Sequence, residues 1–170
     1  MKKVLIVAAL LLCAAVPAFS SVTDTMLNVG LTGSTSELTL FNNSEFDAKF
    51  DIEASADFAM IFDNGPGFDV SITTNFQSDI ELGAFYAHKI DVRNSNLGIL
   101  LSVGPTFNLG GNFAMGIDAM CDLLIDLTSS VYVDLGVGLQ MDVFEIVNDK
   151  IDTSFNMTIP LPSVGIGVKF

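Results

Sequence analysis

Strict alternation of apolar and polar residues is the feature that most limits what this chain can fold into. The segment FDAKFDIEASADFAMIF runs from Phe46 to Phe62, and every even-numbered residue in it is apolar, whereas the odd positions from Asp47 to Asp57 are polar or charged. A helix would mix the two sets on every face, but a strand places them on opposite faces. The run is far longer than the average strand of about five or six residues. It therefore predicts a long β-strand with one apolar and one polar face.

The same pattern continues along the chain, interrupted by short segments rich in Gly, Pro, Asn and Ser that indicate turns. Two prolines, Pro160 and Pro162, predict a bulge in the last strand, because proline donates no backbone hydrogen bond. We predict eight strands, with no helix of useful length, over residues 27–32, 46–62, 68–76, 79–92, 97–108, 113–127, 131–143 and 154–170.

Alternation alone also fits a soluble β-sandwich, which has one buried and one solvated face on each sheet. Two observations favour a membrane-spanning barrel. Many runs reach the length of about 9–11 residues that a spanning strand needs. The connections also divide by side, since the turns at 63–67, 93–96 and 128–130 are short whereas those at 34–45 and 144–153 are long. The sequence thus predicts an all-β, closed, antiparallel up-and-down transmembrane β-barrel.

The amino terminus, MKKVLIVAALLLCAAVPAFSS, has a lysine pair, an apolar run and small residues around a plausible cleavage point. This is the pattern of a secretory signal peptide, so we expect residues 1–20 to be removed and residues 21–170 to form the barrel domain. A lipoprotein site at Cys13 is the alternative, although Leu12 stands where such sites carry a small residue. Without Cys13, Cys121 has no partner for an intramolecular disulfide.

The carboxyl terminus alternates as well, with Val164, Ile166, Val168 and Phe170 at every second position. This arrangement resembles the C-terminal signal of outer-membrane β-barrels that the barrel insertion machinery reads. The mature chain resembles the small eight-stranded OmpX/Ail-like and OmpW-like proteins of diderm bacteria. The resemblance implies export through periplasmic chaperones and a place in the lipid of the outer membrane. The chain departs from these families in having no Trp and only two Tyr, so Phe must serve at the interfaces, and its short outer loops argue against adhesion.

The predicted lumen is strongly acidic. The formal net charge of the chain is −13, which disfavours nucleic acid as a partner. Only Lys49, Lys89 and Lys169 share the inward parity, and so some inward carboxyl groups must be protonated, hydrated at the barrel ends or neutralised by cations. The inward carboxyl groups are those of Asp47, Asp51, Glu53, Asp57, Asp69, Asp79, Glu81, Asp91, Asp118, Asp122, Asp126, Asp134 and Asp142.

A subset of these carboxylates should lie toward the outer mouth, where clustered oxygens could hold Ca²⁺ or Mg²⁺ or attract cations into a narrow path. The alternative is a hydrated polar lumen with internal ion pairs and no dedicated ligand. Inward glycines at 83, 98, 104, 116, 136 and 138 either leave internal space or relieve crowding. The predicted cation site consists of Asp47, Asp51, Glu53, Asp79, Glu81 and Asp142.

Catalysis is not expected, and we predict no catalytic residue and no cofactor other than these cations. The single histidine, His88, has outward parity near a strand end, and Cys121 lies on the same outward face. The predicted role is therefore structural or concerned with small solutes and cations. An eight-stranded barrel filled by its own side chains leaves no room for a wide aqueous pore. The alternatives are a narrow cation-preferring channel and a soluble periplasmic β-sandwich that acts as a binding module.

Overall fold

The computed structural model describes residues 22–35, 50–75, 80–110, 113–147, 150–152, 156–159 and 162–170. The predicted signal peptide with Cys13, and the predicted site residues Asp47 and Asp79, lie outside these ranges. Within them, no helix has the length and apolar character needed to cross a membrane.

The described chain is a single antiparallel sheet that closes on itself. Each strand from β1 (Val22–Thr35) to β6 (Phe113–Asp126) pairs with the next along the sequence. The last strand, β10 (Ser163–Lys169), pairs with both β7 (Val131–Val147) and β1, the latter from Met26↔Lys169 to Leu31↔Val164. The predicted closed up-and-down barrel is confirmed, and the β-sandwich alternative is wrong because all the described strands belong to one closed sheet. The strands are β1 (Val22–Thr35), β2 (Phe50–Phe62), β3 (Pro66–Thr74), β4 (Ile80–Asp91), β5 (Leu97–Asn108), β6 (Phe113–Asp126), β7 (Val131–Val147), β8 (Lys150–Asp152), β9 (Asn156–Thr158) and β10 (Ser163–Lys169).

The eighth strand of the barrel consists of three pieces, β8, β9 and β10, which all pair with β7. Thr158 of β9 faces Gln140 and Ser163 of β10 faces Gly136, so the register along β7 shifts by one residue between these two pairs. Such a shift is what a bulge produces. Pro160 lies outside the described residues, so the part of the prolines in the predicted bulge stays a prediction.

The predicted connection at 144–153 is wrong. Strand β7 continues to Val147, and β8 turns back along it with Val147 opposite Lys150 and Glu145 opposite Asp152. The sequence VFEIV keeps the β-branched and aromatic character of a strand, which explains why the sheet extends here. The first strand is also longer than predicted, since β1 begins at Val22 and not at Leu27.

One end of the barrel, called the near end below, carries the tight turns at 63–65, 92–96 and 127–130. In the first turn, Asn64 and Gly65 have φ of 72° and 95°, a conformation that favours glycine and asparagine. A Cβ atom on Gly65 would lie 2.3 Å from the carbonyl oxygen of Lys89. The N–H of Phe170 donates to the Thr25 carbonyl at 2.9 Å, so the carboxyl terminus is held at this same end.

The outer surface of the barrel is apolar on every side. Exposed aliphatic side chains occur on every strand from β1 to β7 and on β10, with Val29, Val137 and Ile166 among the most exposed. A soluble protein rarely exposes a contiguous apolar surface of this extent, whereas the outside of a transmembrane barrel requires one. Cys121 lies exposed on this face, as its parity predicted, and it forms no disulfide among the described residues. The other face of the sheet lines the lumen.

Candidate functional site

The side chains that face the lumen form four levels from the near end to the opposite, far end. At the near end are ion pairs. The Lys89 ammonium lies 2.5 Å from Asp24 Oδ2 and 2.9 Å from Asp91 Oδ1, and the Lys169 ammonium lies 2.5 Å from Asp126 Oδ1. Asp91 was predicted to lie inside, but its side chain is 77% exposed at the barrel rim. Asp24 was not predicted at all, because it precedes the strand that the alternation indicated.

The second level is apolar, and it is called the plug below. All of its side chains are buried. Lys169 Nζ lies 5.5 Å from the centroid of the Tyr132 ring, so the plug contacts the ion pairs of the first level. The plug closes the near half of the lumen with packed side chains. The plug consists of Met26, Ala59, Ile61, Ala87, Leu100, Leu124 and Tyr132.

The plug was not predicted, because its residues stand at the alternate positions that otherwise carry polar side chains. The signal that marks them is a local failure of alternation, where apolar residues occupy both parities near the near end. Examples are the consecutive apolar residues 59–62, 99–101 and 123–125. Each of these runs places one side chain toward lipid and its neighbour into the lumen.

The third level, called the inner acidic layer below, contains Asp57, Asp69, Asp122 and Asp134 together with Asn28. The Asn28 amide donates from Nδ2 to Asp134 Oδ2 at 2.7 Å and, at the limit of a hydrogen bond, to Asp57 Oδ2 at 3.5 Å. The four carboxylates act electrostatically on one another. Every salt bridge between described side chains lies at the near end, so none reaches this layer.

The fourth level, called the outer acidic layer below, contains Glu53, Glu81, Asp118 and Asp142. Gln140 Nε2 donates to Glu81 Oε2 at 3.0 Å, and Thr106 Oγ1 donates to Asp118 Oδ1 at 3.3 Å. Glu53 and Asp142 act electrostatically on Glu81 across the lumen. This layer joins side chains from β2, β4, β6 and β7 at one level of the barrel.

Three residues of the predicted cation site, Glu53, Glu81 and Asp142, therefore come together in the outer acidic layer. Asp51 directly precedes Ile52 in the far-end half of β2. Among the described residues, no group of three or more His, Cys, Asp or Glu side chains has a geometry that could hold a metal ion. The cation site at the outer mouth stays a prediction.

A cavity of about 100 Å³ occupies the lumen between the plug and the far end. Its floor includes Leu100 and Leu124 of the plug, and its wall includes both acidic layers through Asp57, Asp122 and Asp118. Most inward glycines near it relieve crowding instead of enlarging it. A Cβ atom on Gly136, for example, would lie 2.3 Å from Asp122 Oδ1, so the absence of a side chain there accommodates a carboxylate.

The remaining predicted residues lie on the outer face. His88 is the next outward-facing residue after Tyr86 on β4, close to the near-end turn, and it does not line the lumen. Val164, Ile166 and Phe170 are exposed on the outward face at the end of the chain, and Val168 is half-buried. Their role as an insertion signal stays a prediction.

No protein-family model matches the chain, and no curated protein matches it in sequence. Solved structures do match. Ail, the attachment invasion locus protein of Yersinia pestis, superposes with a TM-score of 0.57 at 11% identity, over 88% of this chain and 100% of that one. Neisserial surface protein A gives a TM-score of 0.54 at 15% identity, over 86% and 97% of the two chains. A designed transmembrane β-barrel gives a TM-score of 0.56 at 12% identity, over 86% of this chain and 95% of that one. The similarity confirms the fold, an eight-stranded transmembrane β-barrel like that of Ail.

Proposed function

We propose that the protein is a structural barrel of the bacterial outer membrane that does not conduct ions and whose acidic lumen takes up cations from the far end. The observation that carries this proposal is the order of levels in the lumen, with a buried apolar plug beneath a cavity walled by carboxylates. The shared fold with Ail and Neisserial surface protein A supports the location. The role requires no covalent chemistry and no catalytic residue.

The location is tested by cell fractionation of the full-length chain. We expect the protein in the outer-membrane fraction, released by detergent and not by salt, with a band that migrates differently in gels before and after boiling. The amino terminus of the purified protein also tests removal of residues 1–20. Recovery in the soluble periplasmic fraction would contradict the proposal.

A narrow cation-preferring channel is the alternative, and the plug argues against it. Met26, Ile61 and Leu124 are almost completely buried, so a hydrated ion would have to displace packed side chains to pass. We expect no unitary conductance when the folded barrel is inserted in planar lipid bilayers. A reproducible, cation-selective conductance step from protein whose folded state is verified by gel mobility would establish the channel instead.

The uptake of inorganic cations is tested through the predicted mouth site. We expect Ca²⁺ or Mg²⁺ to raise the thermal unfolding temperature of the barrel in detergent, and Glu53→Gln with Glu81→Gln to reduce this response. Asp91→Asn is the matched control, because it removes a carboxylate at the near end while Lys89 keeps Asp24. An equal response in all these proteins would remove the mouth site from the proposal.

A further inference from the structure

The inner acidic layer contains buried oxygen atoms that lack hydrogen-bond partners within the described protein. They are Asn28 Oδ1, Asp69 Oδ1 and Asp134 Oδ1. Asn28 is 7% exposed and Asp69 is 4% exposed, and all three residues line the lumenal cavity. A buried acceptor without a partner is costly, so such atoms indicate a missing donor. Asn28 Oδ1 is an acceptor, and the oxygen atoms of Asp69 and Asp134 are acceptors when these carboxyl groups are ionised, which limits the chemistry of that donor.

No cationic side chain that the structure describes reaches the inner acidic layer. Lys89 and Lys169 are bound to carboxylates at the near end, and the plug separates them from the inner acidic layer. Arg93 is exposed in a near-end turn. Burying carboxylates close together without a counter-charge is unfavourable, so a cation that enters the cavity is stabilised by all of them.

The geometry favours an ammonium group over a bare metal ion. A metal ion needs several oxygen atoms converging at its coordination distance, and no group of described side chains meets that condition. A primary ammonium carries three N–H donors and no acceptor, and each N–H needs only one oxygen atom. The inner acidic layer, with its unpartnered acceptors on three different strands, suits such a group.

The same cavity continues to a second layer of carboxylates. Asp57 of the inner acidic layer follows Glu53 of the outer acidic layer by four residues on β2. Asp122 likewise follows Asp118 by four residues on β6. Four residues of a tilted barrel strand advance about 10 Å along the axis. A chain of a few methylene groups with an ammonium at each end bridges this distance, because each charged hydrogen bond adds about 2.8 Å at its end.

We propose that the lumen binds a short linear diammonium ion, with one ammonium group among Asn28, Asp69 and Asp134 and the other near Glu81 and Asp118. The inference rests on the proposed uptake of cations but not on the absence of conductance. The cavity has a volume of about 100 Å³, so the ligand must be thin and small. The methylene groups lie against Met120 and Phe85, which also line the cavity.

Calorimetric titration of the folded barrel in non-ionic detergent tests this binding. The probes are 1,4-diaminobutane, butylammonium, which lacks the second ammonium, and tetramethylammonium, which lacks N–H donors. We expect 1,4-diaminobutane to bind at least about tenfold more tightly than butylammonium, which corresponds to the loss of one charged hydrogen bond. Tetramethylammonium should not bind. Absence of binding by 1,4-diaminobutane, or equal affinity for butylammonium, overturns the proposal.

Two variants locate the ligand. Asp69→Asn and Glu81→Gln preserve side-chain shape, and each should weaken 1,4-diaminobutane binding about tenfold or more, whereas the near-end control Asp91→Asn should leave it unchanged. Gel mobility before and after boiling verifies that each variant is folded. An equal loss in the control would show a diffuse charge effect and reject the site. A Ca²⁺ or Mg²⁺ response without diamine binding would reject this inference alone, and no response to any cation would reject the proposed uptake as well.

Discussion

Replacing Gly167 by alanine should destabilise the barrel through a clash with the plug. A Cβ atom at this position would lie 2.2 Å from Cζ and 2.4 Å from Oη of Tyr132, whereas carbon atoms in contact prefer about 3.5–4.0 Å. The Tyr132 ring cannot withdraw freely, because it is 2% exposed and belongs to the plug. Overpacking of this kind costs about 1–3 kcal/mol, and displacing the ring from Lys169 forfeits about 0.5–1 kcal/mol more.

We therefore expect Gly167→Ala to lower the free energy of unfolding by about 1.5–4 kcal/mol. Urea titration of the barrel in lipid vesicles measures it, followed by gel mobility or circular dichroism because the chain has no Trp. Gly98→Ala is the matched control: its Cβ would lie no closer than 3.6 Å to the atoms of its surroundings, so the change should be within about 1 kcal/mol and favourable in sign.

A double-mutant cycle with Tyr132→Ala identifies the cause of the effect. If the clash with the ring is responsible, adding Gly167→Ala to Tyr132→Ala should cost little, which gives a coupling energy of about 2 kcal/mol. Fully additive losses, or a Gly167→Ala barrel as stable as the parent, would refute the packing argument for the plug.

Two further substitutions test the outer face. Val137→Arg, at a side chain 56% exposed in the middle of β7, should cost about 2–4 kcal/mol if lipid surrounds it, whereas Leu127→Arg, 59% exposed in a near-end turn, should cost about 0–1 kcal/mol. Equal and negligible costs in urea titrations would indicate water at both positions. Phe170→Ser should change stability by less than about 1 kcal/mol, since Phe170 is 79% exposed, yet it should reduce the amount of folded protein in the outer-membrane fraction several-fold. A normal amount of folded protein there would exclude Phe170 from the insertion signal.

The barrel itself could be predicted from the sequence because its main determinant is local. Alternation with period two fixes which face of each strand meets lipid, as in β2, and an even number of such strands joined by short turns closes without an edge. The register shift between Thr158 and Ser163 was predictable for the same reason, since a missing N–H is a property of single residues. The extension of β7 by β8 was not, because the residues 144–153 hold both strand formers and turn formers and only their pairing decides between them.

The site could be predicted only in its composition. The parity of Asp57, Asp69, Asp122 and Asp134 places them in the lumen, but their common level depends on the register between strands, such as Asn28 opposite Asp57. That register follows from closure of the whole sheet and is not encoded near any one carboxylate. The prediction therefore chose the outer mouth from strand direction alone, and it overlooked both the inner acidic layer and the plug that closes the lumen beneath it.

The separation of charge along the lumen leads to a last prediction, that a lysine tethered in the cavity should replace the proposed ligand. Met120 lies between Asp118 and Asp122 on the inward face of β6 and lines the cavity between the two acidic layers. Met120→Lys keeps an unbranched side chain of similar length, and its ammonium would reach carboxylates that have no lysine partner among the described residues. We expect this variant to fold without loss of stability and to bind 1,4-diaminobutane at least about tenfold more weakly, whereas Met120→Leu should bind it as the parent does. Undiminished binding by a folded Met120→Lys barrel would mean that the diamine occupies some other surface. A variant that fails to fold would show that the layers do not accept an ammonium group.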